Sequence, residues 1–224
     1  MRDHLGNFVV SGDLGFARGV LLLEDCEGTF TWVVSGTGGD DVHGFATAAA
    51  FMGLNVMQLK TRKSGAAAND YLTVSKPMGF SESGLCVLRA RVAVPVLAVV
   101  GDLTVAVLAR NGTRRWQGEL VVDPNTPKVE YINSGGTWTA VAALAQTPVV
   151  FGFVTIELAL DLTAMQYLEG AWNGVRASLA GVSMYDVAAD TSRGLTVAIS
   201  VRAAGAAAAE IYVDSVYVGE FMDL

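Results

Sequence analysis

The sequence predicts an all-β protein, a two-sheet antiparallel sandwich with an extended N-terminal arm. Three observations carry that reading. Val154, Ile156, Leu158, Leu160 and Leu162 alternate with Thr155, Glu157, Ala159 and Asp161, the period-two pattern of a strand with one buried face. No stretch carries the apolar spacing of a long amphipathic helix. A chain of 224 residues that is 52% hydrophobic and 17% charged can bury a substantial core, and sandwiches reach about 200 to 250 residues as one domain.

The elements follow in chain order. Residues 1–19 mix Gly6, Gly12, Gly15 and Gly19 with Phe8, Val9, Val10, Leu14 and Phe16. They are too glycine-rich for a regular element and too apolar to stay in water, so they are expected to form an arm whose five large apolar residues serve assembly. The sandwich is expected over 20–224. Its strands are expected at 20–26, 29–34, 54–61, 70–75, 85–94, 103–110, 113–122, 127–133, 137–144, 151–162, 174–179, 195–202 and 209–218. Ser35 to Asp41 is turn-rich and reads as a loop, leading to the Ala-rich run 46–50. Asn111-Gly112 lies between two β-rich runs and predicts a hairpin with two positive φ angles. The same residues begin a glycosylation sequon, Asn111-Gly112-Thr113, but no secretion signal precedes it, so the turn reading prevails. Ala203 to Ala209 sits between two strands and reads as a tight connection. No internal repeat or linker marks a second domain.

Charge narrows the partners. The net charge is -7, and the 15 basic residues are scattered apart from Arg62-Lys63 and Arg114-Arg115. Neutralising nucleic-acid phosphates needs a concentrated basic face, so neither nucleic acid nor an anionic membrane is an expected partner. The N-terminus lacks a signal peptide's pattern, and Gly101-Asp102 end the longest apolar run, Val92 to Val100, which Pro95 interrupts. Cys26 and Cys86 could pair or remain two small buried thiols, and their apolar settings favour the thiols.

Catalytic chemistry is poorly supplied, and no enzyme is expected. His4 and His43 are the only imidazoles, one in the arm and one in a glycine-rich loop. Gly79-Phe80-Ser81-Glu82-Ser83 lacks the closing glycine of a nucleophile elbow. Glycoside hydrolysis needs two carboxyl groups about 5 to 10 Å apart. Glu157 and Asp161 share a strand face, but Ala159 lies between them, and the pair reads as the outward polar face of a sandwich strand. Two separated cysteines and two separated histidines make a poor transition-metal set. Apart from a structural calcium, no cofactor is expected. Glu24, Asp25 and Glu27 end the first body strand and Asp214 lies in the last, so Glu24 and Asp214 are the candidate ligands of that calcium. Among the tryptophans, Trp116 and Trp172 have polar or glycine-rich neighbours and are the candidates for stacking on a sugar, whereas Trp32 and Trp138 read as core.

Leu23 to Gly28 with Trp32, Ala50 to Leu59, and Ile211 to Val218 resemble jelly-roll carbohydrate-binding modules. Val129-Glu130-Tyr131, Gly136-Thr137-Trp138 and Ile156 to Tyr167 are similar to concanavalin-type or laminin G-like sandwiches. The family's phenylalanine is replaced by Cys26. The resemblance implies a jelly roll, and it too would put calcium ligands at Glu24 and Asp214. The same fold serves phage and viral particles as decoration, tail and fibre domains. Two functions are therefore expected to compete. One is a non-enzymatic virion protein, a capsid decoration or tail component that assembles as a homo-oligomer and with other virion proteins. The other is a carbohydrate-binding module that recognises glycans through exposed tryptophans.

Overall fold

The computed structural model describes residues 17–26, 29–37, 39–48, 54–79, 84–126, 128–145, 150 and 152–221. The expected assembly residues Phe8, Val9, Val10, Leu14 and Phe16 lie outside them, as do residues 80–83 of the Ser81 motif. The described residues form sixteen strands: β1 (Ala17–Glu24), β2 (Val33–Gly36), β3 (Val42–Ala48), β4 (Leu54–Lys60), β5 (Tyr71–Met78), β6 (Leu85–Ala93), β7 (Val100–Asn111), β8 (Arg114–Asp123), β9 (Lys128–Ile132), β10 (Trp138–Ala140), β11 (Phe153–Asp161), β12 (Gln166–Trp172), β13 (Val175–Ser178), β14 (Tyr185–Ala189), β15 (Arg193–Ala203) and β16 (Glu210–Phe221). All the paired strands are antiparallel. One sheet runs β13-β12-β11-β6-β16-β4-β3, with β1 beside the C-terminal half of β16. The other runs β10-β9-β8-β7-β15-β5-β2, with β14 on the N-terminal half of β8.

The alternation of the sequence becomes the core. Ile156, Leu158 and Leu160 of β11 and Leu88, Ala90 and Val92 of β6 join Val105 and Val107 of β7 and Val197, Ile199 and Val201 of β15 in one buried cluster. Fully burying a side chain of this size contributes about 1.5 to 3 kcal/mol. Close approach between the sheets requires glycine at Gly118, where a Cβ would lie 2.8 Å from Leu160 Cδ2. Gly170 receives Leu120 from the other sheet in the same way, at 3.3 Å.

Several expectations need correction. The first strand begins at Ala17, three residues before the expected body, and the 137–144 strand contracts to β10 followed by a single 3-10 turn at Ala142–Leu144. Strands β3, β12 and β14 fall where none was expected. His43 therefore lies on β3 rather than in a loop, with Nδ1 2.6 Å from Asp41 Oδ1. The β7–β8 hairpin forms as expected, but with a different turn. Arg110 pairs with Arg115, and of the Asn-Gly pair only Gly112 has positive φ. Asn111 instead uses its side-chain oxygen to accept from the Thr113 and Arg114 amides at 3.0 and 3.1 Å. The turn with two positive φ angles is at Asn173-Gly174, between Trp172 and its partner Val175.

Candidate functional site

The second sheet is split along one of its central strands. Leu120 to Asp123 of β8 pair with β9, whereas Arg114 to Gln117 pair with β14. Between the two ladders the Glu119 amide and the Ile132 carbonyl have no strand partner in common. Tyr167 closes the gap from the opposite sheet: its hydroxyl accepts from Glu119 N at 2.9 Å and donates to Ile132 O at 2.8 Å. The phenol is fully buried, and burial pushes its pKa above the ordinary range.

The Glu119 side chain lies on the outer face of this junction, opposite Ala106 of β7, and is only 9% exposed. Burial raises its pKa to about 7, partly offset by the Gln117 amide, which donates to the carboxylate. No cation pairs with it among the described residues. At the rim, Trp138 of β10 is 42% exposed, and Tyr185 of β14 packs against the β9–β10 turn, where a Cβ on Gly136 would come within 3.0 Å of its ring. A carboxyl that is half protonated near neutrality can both donate and accept hydrogen bonds, and Trp138, which pairs with Ile132 of the same junction, adds an exposed indole two strands away. A hydrolytic pair would need a second free acid. Asp123, four residues along β8, instead caps the following turn, accepting from Asn125 N at 2.9 Å and Thr126 N at 3.2 Å.

The outer face of the first sheet uses its acids differently. Register places Tyr217, Arg89, Glu157, Ala171 and Arg176 on one rung across five strands. Glu157 is 4% exposed and lies 2.5 Å from Arg89 Nε and 2.8 Å from Arg176, which also pairs with Glu169. Asp161 accepts from the Thr163 and Ala164 amides at 2.8 and 2.9 Å, capping a turn. The outward direction expected for both acids is correct, but Glu157 is sealed under arginines rather than solvated.

The expected site residues are dispersed. Trp172, proposed as an exposed sugar platform, is fully buried in the core, and Trp116 is partly buried against it. Trp138, expected in the core, is exposed because it lies on a three-residue edge strand, whereas Trp32 is 5% exposed, as expected of core. Glu24 and Asp214 both lie near Cys26, but each has its own protein partner. Glu24 accepts from Trp32 Nε1 at 3.1 Å and lies 3.5 Å from Lys76, while Asp214 pairs with Arg91 at 2.8 Å. Among the described residues no three His, Cys, Asp or Glu side chains group to hold a metal. Cys26 and Cys86 are free and buried, with both thiols pushed up to about 12, chiefly by burial.

No family model and no curated relative matches the sequence. Solved structures are similar in fold. The endo-1,3-beta-glucanase of Streptomyces sioyaensis is 14% identical, with 96% of this chain and 100% of that one covered and a TM-score of 0.54. The globular domain of T. cruzi calreticulin is 12% identical, with 92% and 88% covered and a TM-score of 0.57. A carbohydrate esterase of the Shiga toxin-encoding bacteriophage phi24B is 13% identical, with 86% and 90% covered and a TM-score of 0.52. The fold is the concanavalin-like jelly-roll β-sandwich, an architecture that also houses glucanases. No helix among the described residues is long and apolar enough to cross a membrane.

Proposed function

We propose that the protein is a non-enzymatic component of a phage or virus particle, a capsid decoration or tail protein that assembles with copies of itself and with other virion proteins. The observation that carries the non-enzymatic part is the use of the acids. Glu157 is held between two arginines, Asp161 and Asp123 cap turns, and among the described residues Glu119 stands without a second free carboxylate beside it. Assembly is assigned to residues 1–16, whose apolar side chains would otherwise stay in water at about 25 cal/mol per Å². They lead into β1, which pairs on one side with β16. A phage protein among the structures of similar fold is in keeping with this reading. The test is light scattering of the full chain and of a chain lacking residues 1–16, a truncation that spares β1. Expected is an oligomer that dissociates on truncation while circular dichroism stays β-dominated. A full-length monomer at high concentration that binds no particle component would remove the reading.

A second reading, a carbohydrate-binding module, is favoured by Trp138, an exposed indole beside the Glu119 junction. Two of the proteins of similar fold are named for action on carbohydrates, the glucanase and the phage esterase. A glycan array probed with wild type and Trp138→Ala decides it. Binding lost in the variant supports the module, and no binding by wild type excludes it.

A further inference from the structure

The end of the second sheet that carries the β7–β8 turn gathers positive charge in an otherwise acidic chain. Arg110 and Arg115 stand directly opposite each other across the hairpin, and Arg193 begins β15 opposite Asn111. Arg193 lies over the turn, where a Cβ on Gly112 would come 3.0 Å from its Nε. Arg114 completes the group, paired with Asp186 at 2.6 Å. Across the rest of the sandwich the described arginines with placed side chains are neutralised: Arg62 by Asp70, Arg89 and Arg176 by Glu157, Arg91 by Asp214 and Arg202 by Asp102. Of the arginines whose side chains are described, Arg115 and Arg193 are the two with no described carboxylate in ion-pair reach, and both fall at this end.

Like charges directly opposite in a ladder repel. Asp190 relieves part of that repulsion: it pairs with Arg110 at 3.2 Å and is held below the ordinary carboxylate range by the Ser192 hydroxyl and amide, and by Arg110 and Arg115. The relief is incomplete. Arg115 Nε is buried and has no acceptor among the described residues, and a buried donor of this kind calls for a partner. A guanidinium presents a planar fork of donors that matches the oxygens of an oxyanion, and charge-assisted bonds of this kind are among the strong ones.

We infer that the β7–β8 end of the sheet is an oxyanion site, with Arg115 as its principal donor and with Arg193 and Arg110, whose Nε and Nη1 already serve Asp190 and Thr196, at its rim, taking a sulfate or phosphate group. The group could be a free ion or an ester on a sugar. Asp190 faces the same donors and competes with the ligand for them. The inference does not depend on the particle reading.

Isothermal titration of the full chain tests it, with sodium sulfate and sodium phosphate run against sodium chloride at constant ionic strength. Trp116, next to Arg115, serves as a fluorescence reporter. Expected is saturable binding of sulfate or phosphate that chloride does not reproduce, weakened at least tenfold by Arg115→Met. Arg115→Lys, which keeps the charge but loses the fork, gives an intermediate affinity and serves if the methionine variant does not fold. Asp190→Asn keeps the oxygen that accepts from Ser192 but removes the competing charge. It should tighten binding several-fold while lowering the melting temperature, a pair of opposite shifts that a merely structural residue would not produce. A chondroitin sulfate tetrasaccharide distinguishes the sources: at least tenfold tighter binding than inorganic sulfate identifies an ester ligand, and equal or weaker binding a free ion. Heats no larger than those of chloride, full affinity in both Arg115 variants, or weaker binding by Asp190→Asn would each overturn the inference.

Discussion

Glu119 makes the stability of the sandwich depend on pH in a direction opposite to that of most carboxylates. Its pKa in the folded protein is raised from an ordinary 4.5 to about 7, because burial at the junction disfavours the charge. The unfolded chain releases this proton first as pH rises through 4.5, so the folded state loses ground until its own carboxyl ionises near 7. The stabilisation is therefore fully present below about pH 4.5 and gone above about pH 7. At about 1.4 kcal/mol for each tenfold change in proton affinity, the interval corresponds to about 3 kcal/mol. For a domain of this size that is about 6 to 12 °C in melting temperature. The experiment is thermal unfolding by circular dichroism from pH 4 to pH 9, for wild type and Glu119→Gln. The variant cannot ionise at this position, so the difference between the curves isolates Glu119 from every other titrating group. The two proteins should melt together near pH 4, and the variant should melt higher by the stated amount at pH 9. Parallel curves across the range would refute the argument, because they require Glu119 to have the same pKa in the folded and unfolded states.

Two further predictions test how the faces are held. Tyr167→Phe removes the hydroxyl that joins Glu119 N to Ile132 O and leaves both groups buried without a partner, at about 1 to 3 kcal/mol each, measured by urea unfolding. A loss below about 0.5 kcal/mol would mean that water reaches the junction. Glu157→Gln leaves Arg89 and Arg176 facing a neutral amide. Because both arginines remain partly exposed, the cost should be about 1 to 3 kcal/mol, below that of breaking a fully buried pair. A variant as stable as wild type would show that the rung is solvated.

Much of the fold was legible because period-two alternation survives wherever one strand face is buried. β11 and β15 have long inward rows of Val, Ile and Leu, and both were found close to their true limits. The strands that escaped notice lack that contrast. β3 reads Val-His-Gly-Phe-Ala-Thr-Ala, with small residues on both faces of an edge strand. β12 contains Gly170, which sequence reading treats as punctuation but which is required here so that Leu120 can approach from the facing sheet. β14 is five residues long and occupies only the half of β8 that β9 leaves free. The junction was invisible for a related reason. Glu119, Tyr167 and Ile132 are separated in sequence, and only the split in pairing along β8 brings them together. The one local hint was an acid set directly before the apolar run Leu120-Val121-Val122.

The tryptophans show why neighbours in sequence misjudge exposure in a sandwich. Trp172 is flanked by Ala171 and Asn173-Gly174, which suggests a solvated loop. Yet Asn173-Gly174 make the tight turn to β13, and the parity of β12 then sends the indole inward opposite Ile156. Trp138 is flanked by threonines, which suggests a regular strand. It pairs with Ile132 at the outer margin of the sheet, where no further strand follows, so the ring remains 42% exposed. Parity and distance from the sheet edge decide the outcome, and a shift of one residue in register exchanges the faces. An aromatic surface open to a ligand therefore lies at the β9–β10 rim of the junction. A glycan bound there would sit near Glu119, an acid whose protonation changes near neutrality, so Glu119→Gln should flatten any pH dependence of glycan binding, whereas a ligand held elsewhere would bind both proteins alike.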